Sequence, residues 1–126
     1  MSEFVLDASA LLAVMFGEPG ADLVYGVMNQ SHISAVNLSE VYATMIEGGM
    51  TFDDAEELVD PLPFRVRAYR DGHAKQTARL RPLTRHLGLS LGDRACLTCA
   101  FFDSLPVLTP TGAWQRPTAF SASTFA

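Results

Sequence analysis

Read for hydrophobic and polar positions, the chain alternates short apolar runs with longer stretches of helical spacing. "EFVLD" (positions 3–7) reads as a first strand, and "ASALLAVMF" continues at once as an apolar helix to about Phe16, stopped by "GEPG". "GADLVYGVMNQ" carries Leu23, Val24, Val27 and Met28 at helical spacing, and "HISAVN" is a short second strand. Asn37 is the expected N-cap of a helix reaching about Glu47 and closed by Gly48 and Gly49. "TFDDAEELV" is a helix with Thr51 at its start and acids in its first turn, where the positive end of the helix favours them. "PFRVRAY" reads as a strand or extended link, Asp71 to Arg85 as a long amphipathic helix ended by Gly88, and Ser90 as the cap of a helix to about Leu105. "PVLT" is another strand and "TAFSA" a short last one. Strands alternating with helices predict an α/β domain with a mainly parallel sheet.

Composition changes this picture little. With 126 residues, 48% apolar and 18% charged, the chain is expected to form one globular domain over positions 1–126. "MSEF" has an acid where a leader would carry Lys or Arg, and "LLAVMF" is too short to cross a bilayer, so a cytoplasmic protein with no membrane partner is expected. Cys96 and Cys99 form a CxxC, but with no second Cys or His pair at metal-binding spacing and an apolar helical setting they read as packed core. His32, His73 and His86 are scattered and form no ligand spacing.

Charge is more informative. Residues 1–64 hold 11 acids and no Lys or Arg, whereas residues 65–126 hold all 9 Lys and Arg and only 3 acids, so the net charge of −5 conceals halves of −11 and +6. The basic set Arg65, Arg67, Arg70, Lys75, Arg79, Arg81, Arg85 and Arg94 fits either a phosphate-facing stripe or an ordinary solvated helix face.

Three acids share a local grammar. Asp7 ends a strand and precedes a helix, Glu40 stands three residues after Asn37 in "NLSE", and Asp93 three after Ser90 in "SLGD". Each alone fits a capping role. As a set at the carboxyl ends of parallel strands, where such sheets place their ligands, they fit a cation site instead. Clustered carboxylates repel unless a proton or cation sits among them, and hard oxygen donors suit Mg²⁺ or Mn²⁺, which activate water and stabilise attack at phosphorus. A phospho-accepting aspartate fits less well, since "DAS" lacks the second acid such sites use.

"FVLDASALLAVMFGEPGA", "ISAVNLSEV", "LGLSLGDRACLTCA" and "LPVLTPTGAW" together closely resemble a PIN-domain ribonuclease toxin of the VapC type, from about Glu3 to Trp114. The resemblance implies a PIN-like three-layer sandwich, a mainly parallel central sheet flanked by helices. It also implies a Mg²⁺ (or Mn²⁺)-dependent endoribonuclease of a type II toxin–antitoxin pair. Asp7, Glu40 and Asp93 match the family's catalytic, metal-binding acids, and Ser9 a supporting hydroxyl. Implied partners are a cognate antitoxin, an RNA substrate (tRNA or rRNA), a second copy in a homodimer, and a higher complex with antitoxin. Arg94, Lys75 and Arg79 are candidates to contact RNA or antitoxin. The family's fourth acid usually stands in a segment shaped T-x-D-x-x-W, and Thr111 occupies its place here. Asp103 lies ten residues beyond Asp93 on one predicted helix, about 15 Å along the axis, too far to substitute. The alternative implied by this departure is a weakened or inactive PIN-like module that binds antitoxin, and perhaps RNA, without cutting.

Overall fold

Phe4–Leu6, the first strand (β1), sorts the core into two halves, because successive side chains of a strand point to opposite faces. Phe4 and Leu6 belong to one buried cluster and Val5 to the other. The structure, a computed structural model, describes residues 3–114. After β1 come α1 (Ala8–Phe16), α2 (Ala21–Val27) with a 3-10 turn over Met28–Gln30, β2 (Ser31–Ser34), α3 (Ala35–Glu47) and α4 (Phe52–Val59). Then follow β3 (Arg65–Arg67), α5 (Asp71–Thr84) with a 3-10 turn over Arg85–Leu87, α6 (Leu91–Asp103), β4 (Val107–Thr109) and β5 (Gly112–Trp114).

The sheet order is β3-β2-β1-β4-β5. The first four strands are mutually parallel and β5 returns antiparallel to β4. On the Leu6 side, α1 to α4 pack Leu11, Val24, Met28, Val41, Met45 and Val59 against Ile33 and Leu108. On the Val5 side, α5 and α6 pack Leu80, Cys96, Leu97 and Ala100 against Val107. The expected sandwich of helices on both faces of a mainly parallel sheet is therefore the fold. The chain passes from β1 outward to β2 and β3 on one side and comes back to β4 on the other, so the strand order reverses between β1 and β4. Parallel sheets open a crevice at that point, beyond the carboxyl ends of the strands.

Most predicted elements stand within a residue or two of their expected bounds. Asn37, however, is not an N-cap. β2 runs into α3 without a gap, and Ser34 caps the helix by accepting the Val36 N–H at 3.2 Å. Asn37 lies inside α3 and is buried. The strand expected in "TAFSA" (118–122) lies outside the described residues. β5 has no clear sequence signal, being three residues opened by a glycine. Gly20, at φ 95°, is required at the start of α2, because a Cβ there would collide with the Pro110 carbonyl. The turn after α1 thus packs directly on the turn between β4 and β5.

At the far end of α6, Asp103 ties the helix to the sheet. It accepts from Arg67 Nε at 2.9 Å and Arg67 Nη2 at 3.1 Å, and stands 3.0 Å from His32 Nδ1. Burial works to raise its carboxyl pKa, but the hydrogen bonds and charges of Arg67 and His32 outweigh it and hold the group below its ordinary range. Arg67 is half exposed, so most of the value of the link lies in the buried His32. Asp103→Ala is expected to cost about 1–3 kcal/mol by leaving His32 without its acceptor. Since the folded pKa is depressed, the wild-type advantage should be present above the ordinary carboxylate range and vanish as pH falls through the folded value. Paired thermal melts at neutral and acid pH check this.

Candidate active site

Asp7 leaves β1 and caps α1. Its Oδ1 accepts the Ala10 N–H at 2.8 Å and the Ser9 hydroxyl at 2.8 Å, while Oδ2 accepts no hydrogen bond from another described residue. Asp93 sits in the first turn of α6 in a capping box. Its Oδ2 accepts the Ser90 N–H at 3.0 Å and its own N–H reaches the Ser90 hydroxyl at 3.1 Å, leaving Oδ1 without a partner among the described residues. Each carboxylate is therefore oriented by one oxygen and presents the other. Both also sit at helix N-termini, whose partial positive charge favours an anion.

The two meet in one cavity of about 400 Å³, lined by Asp7, Leu89, Asp93, Cys96, Val107, Thr109, Thr111 and Gly112. It occupies the crevice between β1 and β4. Among the described residues, no Lys or Arg lines it. Burial raises the Asp7 carboxyl pKa, and the charge of Asp93 raises it further, against the lowering hydrogen bonds of Ser9 and Ala10. Burial likewise pushes the Cys96 thiol well up, so sulfur enters the cavity wall as a neutral S–H directed at the Leu6 carbonyl, 3.8 Å away.

Glu40 is placed beside this cavity without lining it. It lies mid-way along the first half of α3, too far in to cap the helix, and its Oε1 accepts from Asn37 Nδ2 at 2.8 Å. The same Asn37 amide donates to the Gly92 carbonyl at 3.0 Å, and the Glu40 carboxylate lies where a side chain on Gly92 would be. Asn37 thus joins α3 to the first turn of α6, one residue from Asp93. Its Oδ1 is buried without a partner among the described residues.

Thr111, in the turn after β4, also lines the cavity. Thr109 Oγ1 donates to the Gly112 carbonyl at 3.0 Å and accepts the Thr111 N–H at 3.3 Å, and the two threonine hydroxyls stand 3.0 Å apart. Gly112, at φ 131°, closes the turn in a conformation that other residues rarely adopt.

The basic candidates stand elsewhere. Lys75 pairs with Asp71 at 2.9 Å on the exposed face of α5, and Arg79 donates to Gln76 at 3.2 Å. Arg94 donates to the Thr77 carbonyl at 3.1 Å and so braces α6 on α5, with its Nε buried and unpartnered among the described residues. Leu89, Cys96, Val107, Thr109 and Gly112 line the cavity with no sequence signal of function, and Asn37 carried a misleading one. For Leu89, Cys96 and Val107, apolar periodicity marks only burial.

Among the described residues, no three His, Cys, Asp or Glu side chains stand together as a ready metal-holding group. Mg²⁺ asks for less, commonly binding through one or two carboxylates while keeping several waters. Two carboxylate oxygens without a partner among the described residues fit that requirement. In metal-free buffer, Asp7→Asn should keep the cap and melt above wild type at neutral pH. The sign follows from the raised pKa: the folded state holds the Asp7 proton more tightly than the unfolded chain, so stability falls as pH rises through the folded value. The gap between the two proteins should close below the ordinary carboxylate range, which pH-dependent melts measure.

The sequence matches no protein-family model and no curated protein. Its fold is that of several solved chains. One belongs to a toxin–antitoxin complex from Klebsiella pneumoniae, with TM-score 0.66, 19% identity and 84% of each chain covered. Another is from DNA-bound VapBC of Salmonella typhimurium, with TM-score 0.67, 18% identity and 86% of each chain covered. A third is from VapBC2 of Rickettsia felis bound to a DNA fragment from their promoter, with TM-score 0.65, 12% identity, and 85% of this chain and 86% of that one covered. This protein therefore has the PIN-like α/β fold found in VapBC toxin–antitoxin complexes.

Proposed function

We propose that the protein is a metal-dependent endoribonuclease, the toxin of a type II toxin–antitoxin pair, which hydrolyses RNA phosphodiester bonds at the Asp7–Asp93 cavity. The observation that carries this reading is the pair of carboxylates, each held at a helix N-terminus, converging in a cavity that no Lys or Arg lines among the described residues. The fold shared with chains of VapBC complexes supports it.

Asp7 Oδ2 and Asp93 Oδ1 would hold one Mg²⁺ or Mn²⁺. Such an ion supplies Lewis-acid stabilisation at phosphorus and lowers the pKa of bound water. Ser9 orients Asp7, and Ser90 orients Asp93. Glu40, anchored by Asn37, would act through a water rather than as a direct ligand. Thr111 contributes a neutral hydroxyl, so the cavity carries two carboxylates and favours a single ion over a pair. The exposed cations of α5, including Lys75 and Arg79, would take RNA phosphates, and Arg94 positions α6 rather than substrate. The protein partner would be an antitoxin presenting a cation to the acidic cavity, since a guanidinium or ammonium satisfies the same two oxygens.

RNA cleavage in Mg²⁺ or Mn²⁺ by purified protein tests the reading. Asp7→Asn and EDTA should each abolish cleavage, and Ser9→Ala should lower it by about 10–100-fold, as loss of an orienting partner does. Mn²⁺ should raise the melting temperature of wild type and leave Asp7→Asn unmoved. Cleavage that survives both EDTA and Asp7→Asn would sink the proposal. A silent wild type that gains activity in Thr111→Asp would instead identify a degenerate toxin that binds without cutting.

A further inference from the structure

The cavity is larger and less polar than a cation and a phosphate require. Leu89, Cys96 and Val107 form an apolar wall beside the carboxylates, and about 400 Å³ lies within the usual range of roughly 300–1,000 Å³ for small-ligand sites. A phosphate gains nothing from such a wall, and among the described residues no Lys or Arg lines the cavity to attract one. A flat apolar body with a polar edge, covalently tied to the phosphate, would use both parts.

The hydrogen-bonding character of the rim can be read from the hydroxyl protons. Thr109 has one hydroxyl proton, donated to the Gly112 carbonyl, so in the contact between the two threonine hydroxyls Thr111 is the donor. The Thr111 N–H is likewise committed to Thr109, and the Cys96 S–H to the Leu6 carbonyl. What Thr111 offers the cavity is lone pairs, and the carboxylate oxygens of Asp7 and Asp93 add further acceptors. Among the described residues the side-chain rim is one of acceptors.

We propose that the cavity wall of Leu89, Cys96 and Val107 receives one unstacked nucleobase next to the bond being cut, and that its acceptor rim at Thr111 selects a base bearing an exocyclic amino group over uracil. This rests on the ribonuclease reading for its substrate, but not for its test. Adenine and cytosine present an amino donor on the edge where uracil presents a carbonyl, and a carbonyl facing Thr111 meets lone pair against lone pair. The base lies against aliphatic carbon and sulfur, so burial supplies the affinity and the rim supplies the choice.

Nucleosides probe this directly, because they contain no phosphodiester and need no metal. Backbone amide NMR shifts of metal-free protein would be followed on titration with adenosine, cytidine, uridine and methyl riboside. Adenosine and cytidine should move the amides of Leu89, Thr111 and Gly112 and bind roughly three- to tenfold more tightly than uridine, with no response to the riboside. Thr111→Val should keep nucleoside binding and erase the preference, and Leu89→Trp should fill the wall and abolish binding. Equal responses to uridine and adenosine would overturn the selectivity. Responses to N-acetyl-leucinamide in place of nucleosides would overturn the base pocket and give the wall to a protein side chain. RNA cleavage without nucleoside binding would overturn this inference alone, whereas nucleoside binding without cleavage would overturn only the nuclease reading.

Discussion

Helix capping fixes the site. Asp7 caps α1 and Asp93, in the first turn of α6, closes the Ser90 capping box, so each gives one carboxylate oxygen to a helix N-terminus. The Ser9 hydroxyl adds a second bond to the same oxygen of Asp7, and the other oxygen of each carboxylate stays without a partner among the described residues. Asp7 and Asp93 reach one cavity because β1 and β4 are adjacent with the strand order reversing between them, and because α6 packs under β1 and β4. A structural task and the proposed chemical one thus fit within single side chains. The arrangement costs stability at Asp7, where burial and a like-charged neighbour oppose ionisation, and helix N-termini offset part of that cost.

The two acids of α6 show how differently a fold can treat the same residue type. Asp103, at the C-terminal end, is compensated by a bidentate arginine and a histidine and serves to fasten the helix over β2 and β3. Asp93, at the N-terminal end, faces a cavity lined by another carboxylate and, among the described residues, no Lys or Arg. Acids in a cleft with no paired cation are candidates for a functional site, whereas paired ones such as Asp103 commonly serve the fold. Between these ends the contact of α6 with α5 is partly polar, with the buried Thr77 and Thr98 hydroxyls 2.8 Å apart and Arg94 reaching across to α5.

The sheet, its helices and the acids were legible because period-2 and period-3.6 patterns, glycine stops and the Ser90 cap each act over a few residues. Asp7 and Asp93 could be picked out for the same reason: their caps are local. Asn37 was misread because an asparagine after a strand has the signature of a cap, while its real task, joining Glu40 to Gly92, spans 55 residues of sequence. The apolar wall of the cavity was invisible for a related reason. Leu89, Cys96 and Val107 have the spacing of ordinary core residues, and only the strand reversal beside them turns core into cavity. The Asp103–His32–Arg67 link, assembled from three separate elements, had no local trace either.

One consequence follows from the way the chain is divided between the two faces of the sheet. Helices α1 to α4 lie in the half of the sequence that has 11 acids and no Lys or Arg, and α5 and α6 belong to a described stretch with eight Lys or Arg against three acids. The molecule is thus an electric dipole directed across its own sheet, despite a modest net charge. Near a polyanion its net charge would be repelled while the dipole felt a torque, turning the α5–α6 side forward. Screening over about 8 Å at physiological salt limits both to roughly that distance from the partner's surface. Orientation, rather than capture, is what such a charge distribution accelerates.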